Sequence, residues 1–155
     1  MTITSFHHTS FTVSDVDRAA AWFIEHFGME RLGGGDYDFD YIKRQTGFAD
    51  ADLKIAVLGF PGQAGRPGRD VLELIEYRSP AGAPADTATN RPGNAHLCFA
   101  VEDIEAEHAR LSAAGVEFRS TPNTVTFGVN AGAKAVYLVG PDDIRLELFQ
   151  KRAGG

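Results

Sequence analysis

The chain has 155 residues, of which 43% are hydrophobic and 23% are charged, as in an ordinary globular protein with enough residues for one buried core. Its formal net charge of −6 argues against a nucleic acid or an anionic membrane as the main partner. The single cysteine excludes an internal disulfide, and no segment approaches the roughly 20 apolar residues of a membrane span. We therefore expect a cytoplasmic protein that binds neither nucleic acid nor membrane.

The first half of the chain is predicted to form a β-α-β-β-β module over about residues 5–77. A strand over Phe6 to Val13 leads into a helix, because the apolar residues that follow recur at spacings of four, three and four. Ser14 or Asp15 is the expected N-cap of this helix, and Gly28 is suited to end it. The other predicted segments are an extended stretch at 29–32, a loop at 33–35, a strand at 36–41 continuing into a short helix at 42–46, strands at 53–60 and 71–77, and a turn at 61–70.

The second half repeats this order after a linker at about 78–94 that shows no periodicity. A second module is expected over about 95–150, with a strand from Ala95 to Val101 and a helix from Glu102 or Asp103 to Gly115. Further strands are expected at 116–118, 124–127, 133–139 and 144–150. The predicted fold class is therefore α+β, with a single domain over residues 1–155 built from two paired βαβββ modules.

A histidine and a glutamate recur at matching positions of the two modules. The segment His8-Thr-Ser-Phe-Thr-Val-Ser-Asp-Val-Asp returns as His96-Leu-Cys-Phe-Ala-Val-Glu-Asp-Ile-Glu, and each module ends on Leu-Glu-Leu, at 72–74 and at 146–148. Because side chains alternate along a strand, each histidine lies opposite the large apolar residues and each glutamate lies opposite its two leucines. We therefore predict one metal site with four ligands drawn from both modules: His8, Glu73, His96 and Glu147.

Two neutral imidazoles and two carboxylates form a mixed nitrogen and oxygen ligand set that suits a divalent Ni, Zn, Co, Mn or Fe ion. The carboxylates neutralise the charge of the ion, and an octahedral ion would keep two positions for water or substrate. A lone strand histidine is more often structural than a ligand. The recurrence of both residue types in two modules is what favours a metal centre.

These residues resemble the vicinal oxygen chelate superfamily, which includes glyoxalase I, methylmalonyl-CoA epimerase, extradiol dioxygenases, and fosfomycin and bleomycin resistance proteins. The resemblance extends from Phe6 to Gln150 and includes Pro141-Asp142 before the second Leu-Glu-Leu, although Asp143 stands where a glycine is usual. It implies two paired modules that curl around a metal-lined cleft, the four ligands named above and, as is common in the superfamily, a homodimer.

Within this superfamily the ligand set is most similar to that of glyoxalase I, which implies a metal-dependent lyase or isomerase. The expected reaction moves a proton next to a metal-bound carbonyl of a small oxygenated substrate, with Glu147 or Glu73 as the base and Glu147 favoured. The alternatives are a non-haem Fe(II) dioxygenase of the extradiol type, an epimerase like methylmalonyl-CoA epimerase, and a non-catalytic binding or resistance protein.

Several other polar residues have structural interpretations. His7 is expected to face away from His8, and Cys98 is expected to be a small core residue. Arg145 and Lys134 are interpreted as surface charges rather than as ligands for a substrate carboxylate. Three aromatic residues either line a substrate pocket or belong to the core: Tyr37, Phe39 and Tyr41.

Overall fold

The computed structural model describes residues 2–3, 5–62 and 71–152 of the chain. The chain divides into two compact units, Met1–Pro84 and Ala85–Gly155, and each unit has its own four-stranded sheet. Most of the turn predicted at 61–70 lies outside the described residues. None of the described helices is long and apolar enough to cross a membrane.

The first unit contains four strands and two helices. They are β1 (Thr9–Thr12), α1 (Val16–Phe27), β2 (Glu30–Tyr37), α2 (Asp40–Thr46), β3 (Asp52–Gly59) and β4 (Leu72–Ser79). The strand order in the sheet is β1-β4-β3-β2, with β1 parallel to β4 and the other neighbours antiparallel. The chain thus passes from β1 through α1 to the far edge of the sheet and returns by antiparallel steps to lie beside β1.

The second unit has the same topology with shorter elements. They are β5 (Leu97–Ala100), α3 (Ile104–Ala113), β6 (Asn123–Thr124), β7 (Lys134–Val139) and β8 (Arg145–Gln150). The strand order is β5-β8-β7-β6, and β5 is parallel to β8. The α+β class and the βαβββ order of each module are therefore confirmed, with α2 as an additional helix in the first.

The two long helices each begin at an aspartate that caps the N-terminus. The carboxylate of Asp15 accepts a hydrogen bond from the backbone N–H of Arg18, and Asp103 plays the same part for α3. Gly28 follows the last residue of α1 with a left-handed φ of 65°, a conformation that glycine adopts without a steric penalty. The predicted start and end of α1 are confirmed.

The last strand of each unit also holds the start of its helix. An oxygen of Glu76 in β4 accepts a hydrogen bond of 2.9 Å from the backbone N–H of Val16. In the second unit, the amide oxygen of Gln150 in β8 accepts a bond of 3.0 Å from the N–H of Ile104. These N–H groups belong to the first helical turn and have no acceptor within the helix. The duplicated contact fixes each helix to the strand that carries Leu-Glu-Leu.

The core of each unit lies between its helix and one face of its sheet. In the first unit Phe23, Leu58 and Leu74 are fully buried, and in the second Leu111 and Leu146 are. Each such side chain stabilises the fold by about 1.5–3 kcal/mol relative to an exposed position. Because strand residues alternate, the residues next to these leucines point to the opposite face of each sheet. That second face carries the predicted site residues.

The prediction of a loop at 33–35 is wrong, because β2 continues through all three glycines and pairs with β3. Gly34 has a φ of 125°, and a Cβ atom there would lie 2.1 Å from the backbone oxygen of Ile55. A residue with a side chain would displace β3 or β2. The close approach of two backbones therefore explains this glycine.

The predicted strand over 36–41 is also wrong, since β2 ends at Tyr37 and α2 begins at Asp40, whereas the short helix at 42–46 is confirmed. Sequence alternation of aromatic and acidic residues gave the false strand. Ile42 of α2 is buried with Ala51 in a small cluster on the sheet face opposite α1. The partly buried side chains packed against this cluster are Tyr37, Val57, Ile75 and Tyr77.

The second unit departs from prediction where its strands are short. The strand expected at 116–118 is reduced to a single bridge between Phe118 and Leu138, and the strand expected at 124–127 to the two residues of β6. Part of the predicted linker is folded upon itself. Asp86 pairs with Arg91 at 2.8 Å, and its backbone oxygen accepts a hydrogen bond of 2.8 Å from the side chain of Asn94.

Candidate functional site

We call the face of each sheet that lies opposite α1 or α3 the histidine face. In the strand register, the glutamate of each Leu-Glu-Leu lies between one residue of the first strand and one residue of the third strand of its unit. The glutamates thus occupy equivalent positions. We define the first half-site as His8, Ser10, Val57 and Glu73, and the second half-site as His96, Cys98, Tyr137 and Glu147.

In the first half-site, the histidine directly precedes β1 and faces the glutamate of β4. His8 Nε2 lies 3.5 Å from Glu73 Oε2, and 24% of the glutamate side chain is exposed. The other ring nitrogen of His8, Nδ1, lies 2.9 Å from Nδ1 of His7. The expectation that His7 faces away from His8 is therefore wrong. The ring of His8 is held from both sides, because each nitrogen has a neighbour.

In the second half-site, the equivalent pair is closer and less exposed. His96 Nε2 lies 2.9 Å from Glu147 Oε2, and 16% of the glutamate side chain is exposed. The ring of Tyr137 meets the ring of His96 edge to face, with centroids 5.1 Å apart. His96 is therefore held between an aromatic ring and a carboxylate.

Cys98 is exposed and lies on the histidine face, so the expectation of a core cysteine is wrong. Although the residue as a whole is exposed, partial burial of its thiol, followed by the charge of Glu147, raises the pKa of Cys98 to about 11. At neutral pH the thiol is consequently protonated and is not a reactive thiolate. Burial, followed by the charge of Glu147, also raises the pKa of Tyr137.

The separation of each histidine nitrogen from its glutamate oxygen fits two ligands of a single ion. Two atoms that bind one ion at about 2.1 Å and subtend about 90–110° lie roughly 3.0–3.4 Å apart. The observed separations of 3.5 Å and 2.9 Å lie about 0.1 Å beyond the two ends of this range. Within the described residues, no group of three or more His, Cys, Asp or Glu side chains is placed to hold a metal ion. Each unit brings two of the predicted ligands together, and the set of four stays a prediction.

Arg145 shares the histidine face with Glu147 but is not the surface charge that its sequence context suggests. Its side chain is 10% exposed, and its Nε donates a hydrogen bond of 3.1 Å to the backbone oxygen of Thr87. Lys134 is paired with Glu105 at 2.7 Å, as befits a surface charge. The sequence alone does not show that Arg145 is buried and Lys134 is not, because the burial of Arg145 depends on the folded segment around Thr87.

The three aromatic residues at the start of α2 have different positions. Tyr37 packs against the small cluster around Ile42. Phe39 and Tyr41 are about half exposed and stack on each other with ring centroids 6.0 Å apart. Neither interpretation from the sequence covers all three, because one is a core residue and two are surface residues.

Comparison with known proteins identifies the family. A family model described as the Glyoxalase/Bleomycin resistance protein/Dioxygenase superfamily matches residues 5–148, and the chain belongs to this superfamily. It is 32% identical over 152 residues to 2-epi-5-epi-valiolone epimerase from Actinomyces sp, and this match covers 96% of this chain and 80% of that protein. It is 26% identical over 158 residues to glyoxalase I from Saccharomyces cerevisiae, and this match covers 92% of the chain but only 44% of the yeast protein.

A solved structure supports the same assignment. The glyoxalase family protein from Bacillus cereus superposes on this chain with a TM-score of 0.80 at 25% identity, covering 99% of this chain and 97% of that one. The curated relatives are enzymes, which supports an enzymatic function in general.

Sequence reasoning found the histidines and glutamates but missed two neighbours. Cys98 and Tyr137 lie on either side of Glu147, one on β5 and one on β7. The alternation in His96-Leu-Cys already places Cys98 on the histidine face. Tyr137 carries no such signal, because its position depends on the pairing register of β7 with β8.

Proposed function

We propose that this protein is a metal-dependent isomerase or lyase that transfers a proton next to the carbonyl group of a small oxygenated substrate. The observation that carries the proposal is the pairing of a histidine nitrogen with a glutamate oxygen in both half-sites, at 3.5 Å and 2.9 Å. In this proposal one divalent Ni, Zn, Co, Mn or Fe ion is bound by the four residues of these pairs: His8, Glu73, His96 and Glu147.

The donor chemistry supports a resident divalent ion. Two imidazoles and two carboxylates form a set that borderline divalent ions prefer, and the two carboxylates balance the charge of the ion. When bound, such an ion stabilises the negative charge that develops on the carbonyl oxygen as a proton leaves the neighbouring carbon.

We assign the main proton transfer to Glu147. Its carboxylate lies 2.9 Å from His96 Nε2 and beside Cys98 in the strand register, and 16% of its side chain is exposed. A carboxylate with a fixed orientation and little water around it can take a proton from carbon in a constant geometry. Glu73, which is 3.5 Å from His8 and more exposed, is assigned mainly to binding the ion.

Which glutamate delivers the proton, and to which carbon, decides between two reaction products. If Glu147 takes the proton and Glu73, carrying a proton of its own, delivers that proton to the opposite face of the same carbon, the product is an epimer, and exchange with water restores the two carboxyl groups. If Glu147 returns the proton to the adjacent carbon, the product is the isomer that glyoxalase chemistry gives. Similarity to an epimerase and to a glyoxalase I makes both outcomes reasonable expectations for this chain.

The first test is metal content. We expect the zinc- or nickel-loaded protein, after dialysis, to retain about one ion per site by elemental analysis, with binding lost in His96→Gln. The matched control is His108→Gln on α3, a histidine whose ring packs at a tilt against Phe118 and which is not a predicted ligand. Equal metal content in both variants, or no retained metal in the wild type, contradicts the proposal.

The second test is the reaction. Zinc- or nickel-loaded protein in D₂O is expected to exchange the carbon-bound protons of dihydroxyacetone, or to turn over the hemithioacetal of methylglyoxal and glutathione, as followed by NMR. The extradiol dioxygenase alternative predicts instead oxygen uptake with catechol by the anaerobically Fe(II)-loaded protein. Metal-dependent oxygen uptake without proton exchange would replace our proposal by that alternative.

We further expect the protein to assemble as a homodimer, as the family resemblance implies. Light scattering coupled to size-exclusion chromatography distinguishes a particle of one chain from one of two. A monomer at micromolar concentration contradicts this expectation and leaves the proposed chemistry untouched.

A further inference from the structure

Tyr137 places an aromatic ring beside both partners of the second His–Glu pair. In the antiparallel pairing of β7 with β8 it lies directly across from Glu147. The edge contact with His96 has an angle of 85° between the ring planes. The side chain is half-buried on the histidine face.

The phenolic hydroxyl of this residue has no hydrogen-bond partner among the residues that the structure describes. Tyrosine hydroxyls that are partly buried normally have a partner, because the apolar body of the ring is dehydrated while the hydroxyl still needs an acceptor or a donor. The ring contact with His96 does not involve the hydroxyl. The hydroxyl is therefore available to a third molecule at the second half-site.

The first unit has no tyrosine at the equivalent position. Val57 occupies the matching register position across from Glu73, and it packs against the small apolar cluster around Ile42. Ser10 and Cys98 are the register neighbours of the two glutamates on their other side. A phenolic hydroxyl in the position across from the glutamate is thus a feature of the second half-site, where Tyr137 supplies it.

We propose that the hydroxyl of Tyr137 donates a hydrogen bond to a substrate hydroxyl oxygen, so that the site selects carbonyl compounds that carry a further hydroxyl group. The substrate class is a polyhydroxylated ketone or aldehyde. This inference rests on the proposed function for the location of the reacting carbonyl, and it makes Tyr137 a residue that contacts substrate.

The test compares two probes that differ by one hydroxyl, dihydroxyacetone and hydroxyacetone, with zinc-loaded wild type and with Tyr137→Phe. This substitution removes only the hydroxyl and keeps the ring against His96. Dissociation constants from NMR titration are expected to favour dihydroxyacetone by about 2–10-fold in the wild type, the range of one net hydrogen bond. In Tyr137→Phe this preference is lost while the affinity for hydroxyacetone is unchanged.

Tyr77→Phe is the matched control. Tyr77 also lies on a histidine face, but its ring packs against the apolar cluster of the first unit and contacts Phe48. The control variant is expected to keep the wild-type preference between the probes. Zinc content and the ring resonances of His96 are measured in each variant.

Three results overturn the inference. They are an unchanged probe preference in Tyr137→Phe, no measurable binding of either probe to the zinc-loaded wild type, and an equal loss of affinity for both probes together with loss of zinc. The last result would mean that Tyr137 only positions His96. Proton exchange with an unchanged preference rejects this inference alone, whereas a lost preference without any proton exchange rejects the proposed reaction alone.

Discussion

The two units are alike where the helix is fixed to the sheet. In both, a side chain of the last strand accepts a hydrogen bond from the helix start, at 2.9 Å and 3.0 Å. In both, a lysine of the third strand pairs with an acid in the first helical turn. These pairs are Lys54 with Asp17 at 2.6 Å and Lys134 with Glu105 at 2.7 Å.

The units differ beside their glutamates. Glu147 has a thiol and a tyrosine as its register neighbours, whereas Glu73 has Ser10 and Val57. The His–Glu separation is shorter in the second unit, and the glutamate is less exposed. A duplicated framework thus supports two unequal half-sites. The contacts that the two units share stabilise the fold. The contacts that differ are the basis on which we assign different chemical roles to Glu147 and Glu73.

The largest expected effect is a difference in kcat between variants of the two glutamates. Glu147→Gln is expected to lower kcat of the zinc-loaded protein by roughly 10²–10⁴, because it removes the assigned proton acceptor. Glu73→Gln keeps an oxygen ligand for the ion and is expected to lower kcat by less. The measurement is the rate of carbon–proton exchange at saturating substrate, with zinc content determined for each variant.

A larger loss of kcat in Glu73→Gln than in Glu147→Gln would exchange the assigned roles. Equal losses at full zinc occupancy would mean that both carboxylates take part in proton transfer, as an epimerase acting on two faces requires. Either result would change the assignment that we base on the contacts of His96 and Cys98 with Glu147.

The next effect concerns β2, the glycine-rich edge strand of eight residues whose counterpart β6 has only two. Gly34→Ala is expected to lower the free energy of unfolding by about 2–4 kcal/mol, because the new Cβ atom meets the backbone oxygen of Ile55 and the φ is unfavourable for alanine. Gly33→Ala is the matched control, since a Cβ atom there meets nothing within 4 Å. Urea unfolding of both variants checks the prediction, and similar losses would show that the glycines matter for flexibility alone.

A smaller effect tests the shared contact between the last strand and the helix start. Glu76→Ala and Gln150→Ala are each expected to destabilise the protein by about 1–2 kcal/mol, because a backbone N–H of Val16 or Ile104 loses its acceptor. Glu76→Ala should cost more, since a charged acceptor at a helix N-terminus is the stronger one. Thermal and urea unfolding measure the difference, and a larger loss in Gln150→Ala would reverse this ranking.

Much of the fold was predictable, because the sequence repeat and the alternation of side chains along the strands both indicate the same order of strands and helix in each module. The βαβββ order, the N-cap at Asp15, the end of α1 and the sharing of one sheet face by histidine and glutamate follow from short-range patterns. The errors fall where tertiary contacts decide. The backbone contact of Gly34 with Ile55, the register that places Tyr137 across from Glu147, and the burial of Arg145 by the segment at Thr87 leave no local signal.

The site shows the same limit. The two His–Glu pairs could be predicted, because the residues repeat at matching positions of two modules. Their different surroundings could not, because Val57 and Tyr137 lie on strands whose pairing the repeat does not specify. Convergence of all four residues on one ion stays a prediction for the metal measurements above.

The smallest expected effect tests the shared lysine–acid pair at acidic pH. Hydrogen bonding to Lys54, supported by Arg31, lowers the pKa of Asp17 below its ordinary value of 3.8. The folded state then prefers the charged carboxylate. The stability that this preference contributes is fully present above the ordinary pKa and is lost as the pH falls through the lowered one. Since Asp17 is largely exposed, the contribution is expected to stay below about 1 kcal/mol.

Lys54→Met is therefore expected to raise the pKa of Asp17, as followed by NMR titration of its carboxylate carbon. The stability difference between wild type and variant should be largest near neutral pH and should narrow as the pH falls below the ordinary value for aspartate. Lys134→Met, which breaks the equivalent pair of the second unit, is the control and should leave the Asp17 titration unchanged. A stability difference that stays constant from pH 6 to the acid limit would mean that Lys54 acts through packing of its methylene groups and not through its charge.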